Sequence, residues 1–136
     1  MNYLIKASII LIAIIFFAPA ALAEQTEEER LEGLCTEGNS TACFKMGERH
    51  RIVERDNKLA LMFYEKACDA GYMTGCTNGG IILAQKSTPY SKGFKQARKM
   101  FDKACEAGED PSCFNLGTLN YKEGRQKKAI KYYKKA

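Results

Sequence analysis

The chain has 136 residues, with 21 lysines and arginines against 16 aspartates and glutamates, a net charge of +5 and six cysteines. That length holds one small domain once a leader is set aside. An even cysteine count in a small exported chain reads as a disulfide framework rather than a metal or redox site, and export removes nucleic acid from the possible partners of a basic surface.

The leader comes first. Lys6 follows a short start, Ala7 to Ala18 is almost wholly apolar, and Pro19 leads into Ala21-Leu22-Ala23. These are the charged region, apolar core and small-x-small cleavage site of a secretory signal. The 17 uncharged residues between Lys6 and Glu24 fall short of the about 20 that a spanning helix needs, and Pro19 interrupts the run. Residues 1–23 are expected to be a signal peptide and residues 24–136 the domain it exports. That domain is then secreted or periplasmic, with no stable membrane anchor after cleavage. No cysteine follows the site to take a lipid.

Within residues 24–136 the charge is polarised. Residues 24–37 carry six acids and one base, whereas residues 122–135 carry seven bases and one acid. Solvated helix faces account for this pattern first; as a functional feature, the basic end suits an anionic partner, an acidic protein or a cell-envelope polymer.

A repeat runs through the same residues. Each cysteine pair has the form C-x2-G-x4-C: Cys35-Gly38-Cys43, Cys68-Gly71-Cys76 and Cys105-Gly108-Cys113. A glycine follows four residues after each second cysteine, at Gly47, Gly80 and Gly117. A second pattern is Ala60, Phe63, Tyr64, Ala67; then Ala97, Met100, Phe101, Ala104; then Ala129, Tyr132, Tyr133, Ala136. The spacing i, i+3, i+4, i+7 marks one face of a helix.

The unit is therefore a pair of helices. One starts near Asp56 or Asn57 and ends near Gly71, a residue suited to a left-handed cap. The next starts near the following cysteine and carries the second glycine on its packing face, where a small residue lets the helix axes approach closely while the aromatics fill the space between layers. Pro111 fits the first turn of such a helix. The connections vary, from 13 residues between Gly47 and Ala60 to 17 between Gly80 and Ala97 and 12 between Gly117 and Ala129. The middle one holds the loop signal KSTPYSKG.

The first cysteine of each pair falls in a last helical turn and the second in the next helix's first turn. Six cysteines permit 15 pairings; the threefold repetition favours Cys35–Cys43, Cys68–Cys76 and Cys105–Cys113. Closing a nine-residue ring contributes about 2.5 kcal/mol in the chain-entropy model. A metal site lacks C-x2-C spacing and has a single histidine to draw on, and no cofactor motif is present.

The stretches FYEKACDAG…GC…GG and MFDKACEAG…SCFNLG resemble the disulfide-containing branch of the Sel-1-like repeats, especially the Helicobacter cysteine-rich proteins. The resemblance covers roughly residues 30–136. It departs where the usual G-x-G-V connector is shortened after Gly47 and rewritten after Gly80, and where Gly79-Gly80 replaces LG. It implies an all-α, right-handed α/α superhelix in a secreted or periplasmic setting. It also implies an activity, since members are described as penicillin-binding proteins with weak β-lactamase action.

The residues themselves offer little for that chemistry. None of Ser40, Ser87, Ser91 and Ser112 has a lysine three positions on, as the serine enzymes' S-x-x-K requires. His50 reads as a surface residue among Glu48, Arg49 and Arg51, and the sequon Asn39-Ser40-Thr41 reads as turn chemistry. No catalytic residue is assigned. The expectation is an all-α solenoid of about three helix pairs, stapled by three disulfides and acting as a protein-interaction module. Its concave surface would be built from the inner helices, with Met46, His50, Leu116, Asn120 and Tyr121 as candidate contacts. The β-lactam-hydrolysing enzyme is the alternative. In the repeat register the next cysteine would stand at position 137, so the lysine-rich last helix is expected to serve as a soluble terminus.

Overall fold

A computed structural model describes residues 25–136; the expected signal peptide lies outside the described residues. Seven helices follow one another: α1 (Glu27–Thr36), α2 (Ser40–Ile52), α3 (Asn57–Asp69), α4 (Met73–Gln85), α5 (Lys92–Glu106), α6 (Asp110–Lys122) and α7 (Gln126–Lys135). There is no strand among the described residues. Each helix packs on the next in sequence, as a quasi-one-dimensional array requires. In addition α2 touches α4, and α4 touches α6. The even-numbered helices therefore form the tighter, inner layer. Helices α3 and α5 of the outer layer meet through long side chains, with Lys103 donating to the Cys68 carbonyl at 2.7 Å and Gln96 to Glu65.

The joints between outer and inner helices are built three times on one plan. Helix α3 ends in a Schellman turn: the Gly71 N–H donates to the Cys68 carbonyl at 3.1 Å and the Tyr72 N–H to the Ala67 carbonyl at 2.8 Å. Gly71 has φ +92°, a conformation that an L side chain adopts only under strain. Tyr72 then serves as N-cap of α4. Asn39 and Glu109 hold the equivalent place before α2 and α6. Asn39 accepts from the Ala42 N–H at 2.9 Å, so the sequon asparagine does cap a helix. Pro111 lies in the first turn of α6, where its missing N–H costs nothing.

This short turn brings the cysteine Cα atoms to 4.6 Å for Cys35–Cys43, 4.6 Å for Cys68–Cys76 and 4.7 Å for Cys105–Cys113, and all three pairs are joined by disulfides. No free cysteine is present among the described residues. The cystines are buried and form part of the core that runs between the layers.

Returning from an inner to an outer helix, the chain uses one residue in the left-handed region each time: Arg55 (φ 54°), Tyr90 (φ 69°) and Gly124 (φ 73°). Only the last is a glycine. The other two are where the connector departs from the repeat pattern, and the strain costs of order 1–3 kcal/mol each. Tyr90 is held in place by its hydroxyl, which donates to the Glu123 carbonyl at 2.8 Å.

The glycines at the second repeat position sit under aromatic rings. A Cβ on Gly47 would lie 2.6 Å from Tyr64, one on Gly80 2.6 Å from Phe101, and one on Gly117 2.5 Å from Tyr133. Leucine at these sites is expected to overpack, costing about 1–3 kcal/mol. The cost should differ between them: Phe101 is 1% exposed and cannot retreat, whereas Tyr133 is 38% exposed and can swing outward. Thermal melts of Gly80→Leu and Gly117→Leu should therefore show the larger loss at Gly80, and equal losses would contradict this packing.

Candidate functional site

The inner helices expose a face opposite their packing glycine. At about 100° per residue, the positions two before, one after and five after the glycine lie together on the far side. In α4 these are Asn78, Ile81 and Gln85; in α6 they are Asn115, Thr118 and Lys122. Two depressions run along this face. One, of about 400 Å³, is lined by Arg51, Asn57, Asn78, Ile81, Ile82 and Gln85. The other, of about 180 Å³, includes Ile81, Gln85, Asn115, Thr118, Leu119 and Lys122. Ile81 and Gln85 line both, so the two adjoin and together form a groove-like face across successive repeats.

One end of the groove is set by a network reaching into the core. Tyr64, fully buried on α3, donates its hydroxyl to Glu48 and accepts from Arg51 Nε at 3.0 Å. Arg51 Nη2 donates to Glu48 Oε2 at 3.0 Å, and the Asn78 amide donates to Glu48 Oε1 at 3.0 Å. Burial pushes the Glu48 carboxyl up, but the hydrogen bonds from Arg51, Tyr64 and Asn78 outweigh it and hold the group below its usual value. Three helices are thus pinned together at one carboxylate, leaving Arg51 about half exposed at the groove wall.

Tyr64 is pushed up to about 12, first by burial and then by its bond to Glu48. The phenol is neutral in both folded and unfolded states below its ordinary value of 10. Its contribution to stability is complete there, and is lost as pH rises from about 10 to about 12, where only the unfolded chain ionises. In an alkaline titration followed by phenolate absorbance and circular dichroism, the Tyr64 phenolate should appear only as helix is lost. Tyr64→Phe should remove that late step. Release of every phenolate near pH 10 with helices intact would refute the placement.

Between α4 and α6 the layer is registered by hydroxyls: Thr77 and Ser112, both buried, hydrogen-bond at 2.8 Å, and Thr74 donates to Glu109 at 3.2 Å. Further on, Arg98 reaches Glu123 and Asn120, and Arg125 meets Glu123 at 3.2 Å.

None of the five candidate contacts read from sequence lines either depression. Met46 (1% exposed), Leu116 (0%) and Asn120 (1%) are core residues, and the Asn120 amide donates to the Leu116 carbonyl at 2.8 Å. His50 is not a surface residue either. Its ring stacks on Phe63 at 5.1 Å, and Nδ1 lies 2.7 Å from a Glu54 carboxylate oxygen. All five lie on the inner helices α2 and α6, but not on their outward face. Met46 and Leu116 precede the packing glycine by one and His50 and Asn120 follow it by three, which turns all four toward the outer layer. Tyr121 alone is exposed. The glycine was the signal that could have located the groove.

The groove offers amides, a guanidinium and aliphatic surface, a set that binds polypeptide by hydrogen bonding and contact. Ser112 is buried against Thr77, and Ser91 accepts from the Phe94 N–H as the N-cap of α5. Among the described residues no group of three or more metal-ligating side chains occurs, and no helix is long and apolar enough to cross a membrane.

Helix pairs stacked in sequence order define a helical-repeat solenoid, a protein-interaction module. A family model for the Sel1 repeat matches residues 40–72, 85–109 and 110–136, and the chain belongs to the Sel1 repeat family. The first match covers α2 with α3 and the last α6 with α7, so each cystine joins the outer helix before a repeat junction to the inner helix after it. No curated protein matches the chain at a significant level.

Proposed function

We propose that this protein is an exported interaction module that holds an extended polypeptide segment along the inner face of α2, α4 and α6. The observation that carries the reading is the groove shared by two repeats, with Asn78 and Asn115 at the same register position on α4 and α6. A side-chain amide offers both donor and acceptor, the pair that an extended backbone requires, and Ile81 between them gives an apolar seat. Three cystines support an oxidising compartment, secreted or periplasmic. The same cystines support placement in the disulfide-containing branch of the family.

The test is capture of envelope proteins on the immobilised wild type and on Asn115→Arg, which fills the groove from a half-exposed position. A partner retained by the wild type, at least tenfold weaker on Asn115→Arg at unchanged melting temperature, and protecting α4 and α6 from hydrogen exchange, is the expected result. Partners held equally by both proteins would move the site elsewhere. Turnover of a chromogenic β-lactam by the purified protein would replace the binding reading with an enzymatic one.

A further inference from the structure

The outer layer carries a second surface, independent of the groove. On α5, Lys92, Lys95 and Lys99 recur along the side opposite the buried Phe94, Ala97 and Phe101. On α7, Lys127, Lys128, Lys131, Lys134 and Lys135 fill the side opposite the buried Ala129. The ion pairs among the described residues are made by arginines and His50, so all eight lysines stand without a salt-bridged carboxylate. Two acids, Asp102 and Glu106, lie between the stripes beside Lys131 and Lys134. Residues 92–136 hold twelve bases against five acids, whereas residues 25–91 hold eight against ten. The outer face thus grades from acidic α1 through mixed α3 to basic α5 and α7.

We propose that this lysine face of α5 and α7 docks the protein on an anionic lipid surface. Three features favour a bilayer over an acidic polypeptide. The charges are all lysines, compact point charges without the fork that recognises a single carboxylate. They stand on the exposed outer sides of two helices rather than in the groove, a display suited to an extended, flat array of charge. At the rim on the α6 side, exposed apolar groups accompany them: Ile130 is 55%, Tyr133 38% and Phe114 56% exposed, with the Phe114 and Tyr133 rings 5.2 Å apart. Aromatic and aliphatic side chains beside a lysine ridge are suited to the headgroup boundary. Docked this way, the protein leaves its inner groove facing water.

The experiment is co-sedimentation of the protein, as recovered after export, with phosphatidylglycerol-containing vesicles and with pure phosphatidylcholine vesicles. Any apolar leader still attached would bind both alike, so the readout is the difference. Binding should be at least tenfold tighter to the anionic vesicles. It should vanish in about 0.5 M salt, where charges are screened within about 4 Å. The triple variant Lys127→Gln/Lys131→Gln/Lys134→Gln should lose roughly a hundredfold, at roughly fivefold per lysine, with its helical spectrum intact. Ile130→Ser should weaken binding at unchanged charge, and Asn115→Arg should leave it untouched. Equal binding to both vesicles, or a triple variant that binds like the wild type, would overturn the proposal. So would polyglutamate binding tighter than vesicles with Ile130→Ser without effect, which points to an acidic polypeptide. Salt-sensitive self-association without vesicles, lost in the triple variant while vesicle binding is absent, would assign the face to a second copy of the chain.

Discussion

Phe101→Ala is expected to destabilise the fold by about 3–5 kcal/mol, the range for emptying a fully buried aromatic site. Phe101 is 1% exposed and belongs to a cluster with Phe94, Ala97, Cys105, Cys113, Leu116 and Leu119. It links the outer helix α5 to both inner neighbours, so few side chains can relax into the space. The glycine above it supplies a sharper test. Gly80→Ala alone should destabilise, because its Cβ would stand 2.6 Å from the ring. In the Phe101→Ala background the same methyl enters vacated space and should be neutral or stabilising. A double-mutant cycle by urea denaturation should give a coupling of about 1–2 kcal/mol. Additive effects would mean that the two residues do not share one volume.

Removing a staple should come next in size. Cys68→Ala/Cys76→Ala is expected to cost about 2–4 kcal/mol, of which about 2.5 kcal/mol is the ring-closure entropy of the unfolded chain. The remainder is packing, since both sulfurs are buried, Cys68 at 3% and Cys76 at 0% exposed. Melting of the double variant, with non-reducing peptide mapping of the two remaining rings, checks both parts. A loss near zero would show that the Schellman turn and core contacts hold the junction by themselves.

Much of this architecture was readable from spacing. Cysteines eight apart around a glycine point to a helix-turn-helix joint only together with the helical periodicity that flanks them, since a hairpin brings residues at that separation into disulfide range as well. The alanine and aromatic positions at i, i+3, i+4 and i+7 identify the buried stripe of α3 and α5 directly, whereas on α7 only Ala129 of that pattern is buried. The groove was harder to read because inner helices bury nearly two sides. Met46, His50, Leu116 and Asn120 face the outer layer, while Asn78 and Asn115 look unremarkable without the glycine register. Polar character misled at His50, whose ring is sheltered by Phe63, a contact between helices that no local pattern carries. Arg55 and Tyr90 were equally hidden: a left-handed backbone without glycine leaves no mark in the residue types.

The position of the cystines has a mechanical meaning. Under tension along the chain, each disulfide carries the load across its turn through one covalent bond, so the Schellman joints cannot be peeled open. Outside the rings the chain remains extensible, and the inner helices with the outer helices that follow them span residues 43–68, 76–105 and 113–136. Pulling should therefore release contour in discrete steps of roughly 80–100 Å, at about 3.5 Å per residue, one step per repeat. Force spectroscopy on the oxidised protein would see the repeat as its quantum of extension, and a reductant would lengthen the accessible contour at each junction. A module anchored at one end and gripping a partner along its inner face would then yield in whole repeats while each junction stayed closed.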